Sequence, residues 1–185
     1  EKFTLEETLA KTDAQGVTVA EALNAIGYAG SRKVSGHPVG AYFEAHIEQG
    51  PILEDERKTI GVVLGALGQK WFDLNLRGVE AHAGPTPMHL RKDALVGAAA
   101  VVAAVNQAAL SHQPHACGTV GCLQAYPGSR NVIPGEVRMT LDFRHLLPER
   151  LDSMIEQVRG VIEATCKQHG LSFELTPTAD FPPLY

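Results

Sequence analysis

Residues 137–143 alternate strictly, with Val137, Met139, Leu141 and Phe143 apolar and Arg138, Thr140 and Asp142 polar. A period of two admits only an extended strand with one buried face and one open face. Phe72, Leu74 and Leu76, alternating with Asp73, Asn75 and Arg77, predict a second strand of the same kind. Between them, residues 91–112 are alanine-rich and predict a helix of several turns, and residues 119–125 predict a further strand. Leu151, Met154, Ile155, Val158, Val161 and Ile162 recur at helical spacing, with Gly170 placed to end that helix. Leu171, Phe173 and Leu175 then predict a fourth strand. The order β-α-β-β-α-β over residues 66–178 is the split βαβ arrangement of a ferredoxin-like fold. The fold class is therefore α+β, a four-stranded antiparallel sheet with two helices on one face and the other face free.

The segment before this domain reads differently. Thr4-Leu5-Glu6-Glu7 has the spacing of a capping box, and a second helix begins near Thr18 and stops at Gly27. A Gly, Ser and Pro-rich loop follows, and residues 41–47 read as a buried strand broken by Gly50-Pro51. Residues 1–65 hold too few apolar side chains for a core of their own and look like part of a larger domain. Residues 179–185 look like the start of a return to it, and both ends look cut.

Charge and composition exclude several classes of function. In 185 residues the net charge is −5, which leaves no electrostatic footprint for nucleic acid or an anionic membrane. The longest apolar run, residues 94–105, is about half of the ~20 residues that span a bilayer. Cys117, Cys122 and Cys166 are odd in number and fit no zinc-ribbon or CxxC spacing, so they read as reduced thiols of a cytoplasmic protein. Residues 61–68 lack the Lys-Ser/Thr of a phosphate loop, and there is no GxSxG nucleophile elbow. The stacking aromatics and basic surface of an RNA-recognition sheet are also missing.

Four places can carry chemistry. Glu44, His46 and Glu48 are spaced two apart, so on a strand they share a face and could ligate a divalent metal. His46 could equally be a hydrogen-bonded core residue. Ala81-His82-Ala83-Gly84-Pro85-Thr86-Pro87 is a stiff turn that would hold His82 in one orientation, or an ordinary loop. Asn131, in the turn-rich stretch 128–135, is either an amide donor to a substrate or a turn stabiliser. Arg144, on the polar face of a strand, suits a bidentate carboxylate or a surface ion pair.

These same residues resemble one family. Glu44-Ala45-His46-Ile47-Glu48-Gln49-Gly50-Pro51 with Ile60-Gly61-Val62-Val63 resembles the metal-binding strand and hinge of the N-carbamoyl-L-amino-acid hydrolase and allantoate amidohydrolase group of the M20 metallopeptidase superfamily. His82-Ala83-Gly84-Pro85-Thr86-Pro87-Met88 with Arg91-Lys92-Asp93-Ala94-Leu95 resembles the signature that opens its lid helix. Ser129-Arg130-Asn131-Val132-Ile133-Pro134-Gly135 and Asp142-Phe143-Arg144-His145 match two further blocks. Gly78-Val79-Glu80-Ala81-His82-Ala83-Gly84-Pro85 leans toward the carbamoylases over the allantoate amidohydrolases.

The resemblance implies that residues 1–65 are part of an α/β metallohydrolase catalytic domain with its hinge. Residues 66–178 would then be the lid and dimerisation domain of a homodimer. It implies hydrolysis of a linear C–N bond, most simply of an N-carbamoyl-L-amino acid to the amino acid, ammonia and carbon dioxide. Allantoate amidohydrolase and β-ureidopropionase activity are the near alternatives. His46 would ligate a binuclear divalent centre of Zn, Mn, Co or Ni, with Gln49 close by. His82 would stabilise the attacked carbonyl oxygen from the partner subunit, and Asn131 and Arg144 would bind the substrate carboxylate, with Gln69 in the same pocket. The family's other ligands are an upstream His and Asp, a glutamate pair and a distal His. None of these motifs is in the sequence, and Glu6-Glu7 sits at a helix start instead. The chain alone is therefore expected to be inactive and to lose the metal. A non-catalytic dimerisation or small-molecule-binding module is the reading from a different class.

Overall fold

Two capping boxes open the first unit. Thr4 caps α1 (Leu5–Leu9) and Thr18 caps α2 (Val19–Ala25), each threonine accepting from the backbone of a glutamate that bonds back to it. The Thr4 hydrogen bonds hold the Glu7 carboxyl below its usual range, so Glu7 is a helix-start residue. Gly27 adopts φ +72°, a left-handed turn that ends the α2 segment. A short α3 (Ile52–Asp55) has its first N–H groups capped by the Glu48 carboxylate at 3.0–3.2 Å. The computed structural model describes residues 3–32 and 38–185. The chain divides into two compact units, Glu1–Thr59 and Ile60–Tyr185.

Residues 41–47 are not a strand, contrary to the apolar pattern. They form no regular structure, and Tyr42, Phe43 and Ile47 are 77%, 92% and 76% exposed. A strand needs a neighbour to take its backbone hydrogen bonds, and among the described residues none lies beside this one.

The second unit is built around the two alternating stretches. In chain order it holds β1 (Gly68–Arg77), β2 (Ala81–His82), α4 (Ala94–Ser111), β3 (Cys117–Tyr126), β4 (Val132–Ile133), β5 (Glu136–His145), α5 (Pro148–His169) and β6 (Ser172–Phe181). The large sheet has the order β3-β5-β1-β6, and every pair in it is antiparallel. This is the ferredoxin-like topology that the element order predicts. β1 and β5 lie at the centre, with Gly68 opposite His145 and Arg77 opposite Glu136.

Apart from Trp71, which is 40% exposed on the open face, the large apolar residues of these two strands face α4 and α5. Leu74, Leu76, Leu141 and Phe143 are at most 2% exposed, as are Val101, Val105, Leu151, Met154, Val158 and Ile162 from the helices. Burying each large side chain of this kind stabilises by about 1.5–3 kcal/mol. α4 starts later than its composition suggests, because Asp93 accepts from the Leu95 and Val96 N–H groups and caps it there. α5 starts at Pro148 and ends at Gly170, whose φ of +64° supplies the left-handed cap. The fourth strand runs beyond Leu175 to Phe181.

His145 is 4% exposed and fully used. It accepts from the Leu147 N–H at 2.9 Å and bonds the His112 carbonyl at 3.1 Å, which ties β5 to the C-terminal end of α4. At the base, Ala66 and Leu184 exchange two backbone hydrogen bonds of 2.9 and 3.0 Å, so the chain enters and leaves the sheet side by side.

Candidate functional site

The structure brings His82 and Asn131 together. β2 and β4 form a two-residue ribbon with Ala81 opposite Ile133 and His82 opposite Val132, and the Ala83 N–H donates to the Asn131 carbonyl at 2.8 Å. Ile133 is 3% exposed and anchors the ribbon, and the Ala94 N–H at the start of α4 donates to the Pro134 carbonyl. The turn that follows His82 then fixes its ring. The Gly84 N–H donates to His82 Nδ1 at 3.1 Å, which leaves the proton on Nε2 in the neutral ring. Thr86 Oγ1 donates to the His82 carbonyl at 2.7 Å. The half-buried Arg91 donates to the Ala83 and Thr86 carbonyls at 2.6 and 3.1 Å, closing the turn. His82 is exposed and offers an Nε2–H donor on a rigid support. Ser129 Oγ donates to Asn131 Oδ1 at 2.8 Å, so the Asn131 amide NH2 is likewise left to donate.

Gln69 and Arg144 form a second pair. They are direct cross-strand partners on β1 and β5, and Cys117 of β3 stands opposite Arg144 on its other side. Phe143 points into the core, so Arg144 and Gln69 stand on the open face. The Asp142 carboxylate takes Arg144 Nε at 3.1 Å to both oxygens and Nη2 at 2.7 Å. That hydrogen bond raises the guanidinium pKa above the ordinary arginine value, against the desolvation that lowers it.

The two pairs do not meet within one chain. Residues 136–144 of β5 are about 27 Å long, as is the 18-residue α4 packed on the sheet. His82 and Asn131 stand at the N-terminal end of α4. Gln69 and Arg144 stand at the end where His145 meets the C-terminal cap of α4.

In the first unit His46 and Gln49 are both exposed. His46 Nδ1 bonds the Ile47 carbonyl, so the lone pair lies on Nε2, the atom free to meet a metal. Gln49 has φ +56°, a left-handed conformation that a non-glycine residue adopts at a cost of about 1–2 kcal/mol. Glu48 is committed to the cap of α3, and Glu44 accepts from the Tyr42 hydroxyl. Among the described residues no group of three His, Cys, Asp or Glu can hold a metal ion, so His46 is a single donor and not a centre.

Sequence reading passed over two side chains that organise these pairs. Arg91 and Asp142 both lie inside the motifs named above; the backbone carbonyls that Arg91 meets are marked by no spacing rule, whereas Asp142 shares the face of Arg144 by the strand period of two.

The outer faces of the two helices differ in kind. α4 carries no charged residue, and Leu95, Val96, Val102 and Leu110 on it are 38%, 47%, 38% and 60% exposed. Glu149, Asp152, Glu156, Glu163 and Lys167 line the exposed face of α5. By length and composition α4 could cross a membrane, yet Ala94, Ala98, Val101, Val105 and Ala108 are buried against the sheet, as in a core helix.

Comparison with known proteins agrees with this architecture. The peptidase dimerisation domain of the M20 family matches residues 64–170. An N-carbamoyl-L-amino-acid amidohydrolase of Rhizobium meliloti is 39% identical over 98% of this chain and 44% of its own length. One from a Pseudomonas species is 40% identical over 91% of this chain and 42% of its own. The crystal structure of a hydantoinase/carbamoylase family amidase from Burkholderia multivorans superposes with a TM-score of 0.90 at 49% identity, covering 98% of this chain and 44% of that one. The chain thus spans less than half the length of these relatives. With the M20 peptidase dimerisation domain matched over more than half of its residues, the chain belongs to the M20 peptidase family.

Proposed function

We propose that the full-length protein carrying this chain is a metal-dependent amidohydrolase. It cleaves the linear C–N bond of N-carbamoyl-L-amino acids and releases the amino acid, ammonia and carbon dioxide. The relatives aligned across nearly the whole chain support the reaction class. The observation that carries the site assignment is the distance between the two polar pairs. A small substrate cannot touch both ends of a sheet about 27 Å long, so the two pairs serve one site only if two subunits contribute.

A two-fold dimer through α4 meets that need. The uncharged face of α4 lies beside β3, an edge strand of the sheet that also carries no charged residue, and together they form an uncharged surface with free backbone hydrogen-bonding groups. A two-fold axis across α4 runs the two copies antiparallel. The His82 and Asn131 end of one subunit then lies beside the Gln69 and Arg144 end of its partner. Arg144 binds the substrate carboxylate, with Gln69 alongside. His82 donates from Nε2 to the carbonyl oxygen as negative charge develops there, and the Asn131 amide from the same end joins Arg144 in binding the substrate carboxylate. The divalent pair, when bound, supplies a Lewis acid and an activated water. His46 offers one ligand through Nε2, Gln49 lies close by, and the remaining ligands come from the part of the protein outside this chain. The chain alone is accordingly inactive.

Ammonia release by the full-length protein tests this reading, with N-carbamoyl-L-amino acids, allantoate and 3-ureidopropionate as substrates. Release from the carbamoyl amino acids that is restored by Mn²⁺ or Zn²⁺ after chelation, and lost in His46→Ala, is the expected result. A folded, metal-loaded protein that hydrolyses no ureido compound would redirect the reading to acylated amino acids or peptides.

A further inference from the structure

A guanidinium has two edges that match a carboxylate, the side edge of Nε with one Nη and the end edge of the two Nη atoms. Asp142 takes the side edge of Arg144, with Nε and Nη2 at 3.1 and 2.7 Å from its two oxygens. The Nη1–Nη2 end edge keeps its outward N–H groups, because among the described residues no other acceptor for Arg144 is found. Both side chains are part-buried on the open face, flanked by Gln69 and Trp71 of β1 and by Cys117 and Thr119 of β3. We infer that Asp142 is a positioning residue, which locks the fork of Arg144 so that its end edge is presented to the carboxylate of the substrate. The inference rests on Arg144 being the carboxylate-binding residue.

A strong carboxylate partner two residues away could be read as a competitor for substrate. The edge geometry separates the two roles. A competitor would occupy the edge that the substrate needs, whereas a support occupies the other one. Holding the guanidinium in one pose before binding removes an ordering cost that a free arginine would meet with each substrate. The carboxylate is not altered in the reaction, so this contact is the same in the ground state and the transition state. Its loss therefore raises KM and leaves kcat nearly unchanged.

The experiment uses the full-length metal-loaded enzyme with the fastest N-carbamoyl-L-amino acid and its carboxamide analogue, comparing wild type with Asp142→Asn, Asp142→Glu and Arg144→Lys. Thermal unfolding is followed in parallel. The expected result is that Asp142→Asn raises KM for the acid about tenfold with kcat within about threefold, and narrows the preference for acid over amide by a similar factor. Asp142→Glu recovers part of the loss, and Arg144→Lys exceeds it. If Arg144→Lys erases the acid preference while Asp142→Asn and Asp142→Glu leave KM unchanged, Arg144 is the anion site and the positioning role is overturned. A loss in kcat at constant KM for Asp142→Asn overturns it as well. If Arg144→Lys itself leaves KM and the acid preference intact, the assignment of Arg144 fails, and the inference falls with it.

Discussion

Replacing His82 with alanine in the full-length protein is expected to lower kcat by about 10²–10³-fold while KM changes by less than about threefold. The size follows from where the ring is and how it is held. The Gly84 N–H on Nδ1 fixes the tautomer that keeps a proton on Nε2, and the Thr86 and Arg91 contacts hold the backbone on either side. A donor fixed in advance needs no reorganisation when charge appears on a carbonyl oxygen, which is why such donors act on the transition state more than on bound substrate. His82→Gln keeps an N–H of similar reach and should recover part of the loss. Steady-state kinetics on a saturable N-carbamoyl substrate measures both constants. A rise in KM with kcat intact would make His82 a binding residue instead.

Val102→Glu is expected to convert the proposed α4 dimer to monomer and to reduce activity by a similar factor, although Val102 lies in neither polar pair. It sits near the middle of α4, on the uncharged face and 38% exposed. Near a two-fold axis the residue meets its own copy, so the substitution brings two carboxylates together in a surface that excludes water. Fold stability should change little, because Ala98, Val101 and Val105 on the inner face are untouched. Light scattering after size exclusion reads the mass, and ammonia release reads the activity. A dimeric variant with full activity would move the interface away from α4.

Much of the second unit was legible from hydrophobic period alone. The alternations at Phe72, Leu74, Leu76 and at Val137, Met139, Leu141, Phe143 specify strands whose inner faces are the observed core. The capping box at Thr4, the helix start at Thr18 and the stop at Gly170 are local chemistry, and local chemistry survives in any tertiary setting. Residues 41–47 mark where that logic ends. Their apolar run satisfies a strand pattern, but a strand is completed by a neighbour, and among the described residues none is beside it.

The candidate site divides in the same way. His82, Asn131, Gln69 and Arg144 could each be singled out as residues, and the prolines and glycine after His82 could suggest that it is held rigidly. That they form two pairs at opposite ends of one sheet depends on register, on Gln69 facing Arg144 and His82 facing Val132. Motifs taken in chain order have no register, and only the family resemblance places His82 on the partner subunit.

In the proposed dimer one site draws on both ends of the sheet, from two subunits. Co-expressing His82→Ala and Arg144→Ala chains with different affinity tags, and purifying the mixed dimer through both tags, tests it directly. One of its two sites would then have both residues native and the other neither, so activity should return to about half that of wild type, from two parents near background. A mixed dimer as inactive as its parents would place His82 and Arg144 in the same subunit's site and rule out a site shared between subunits.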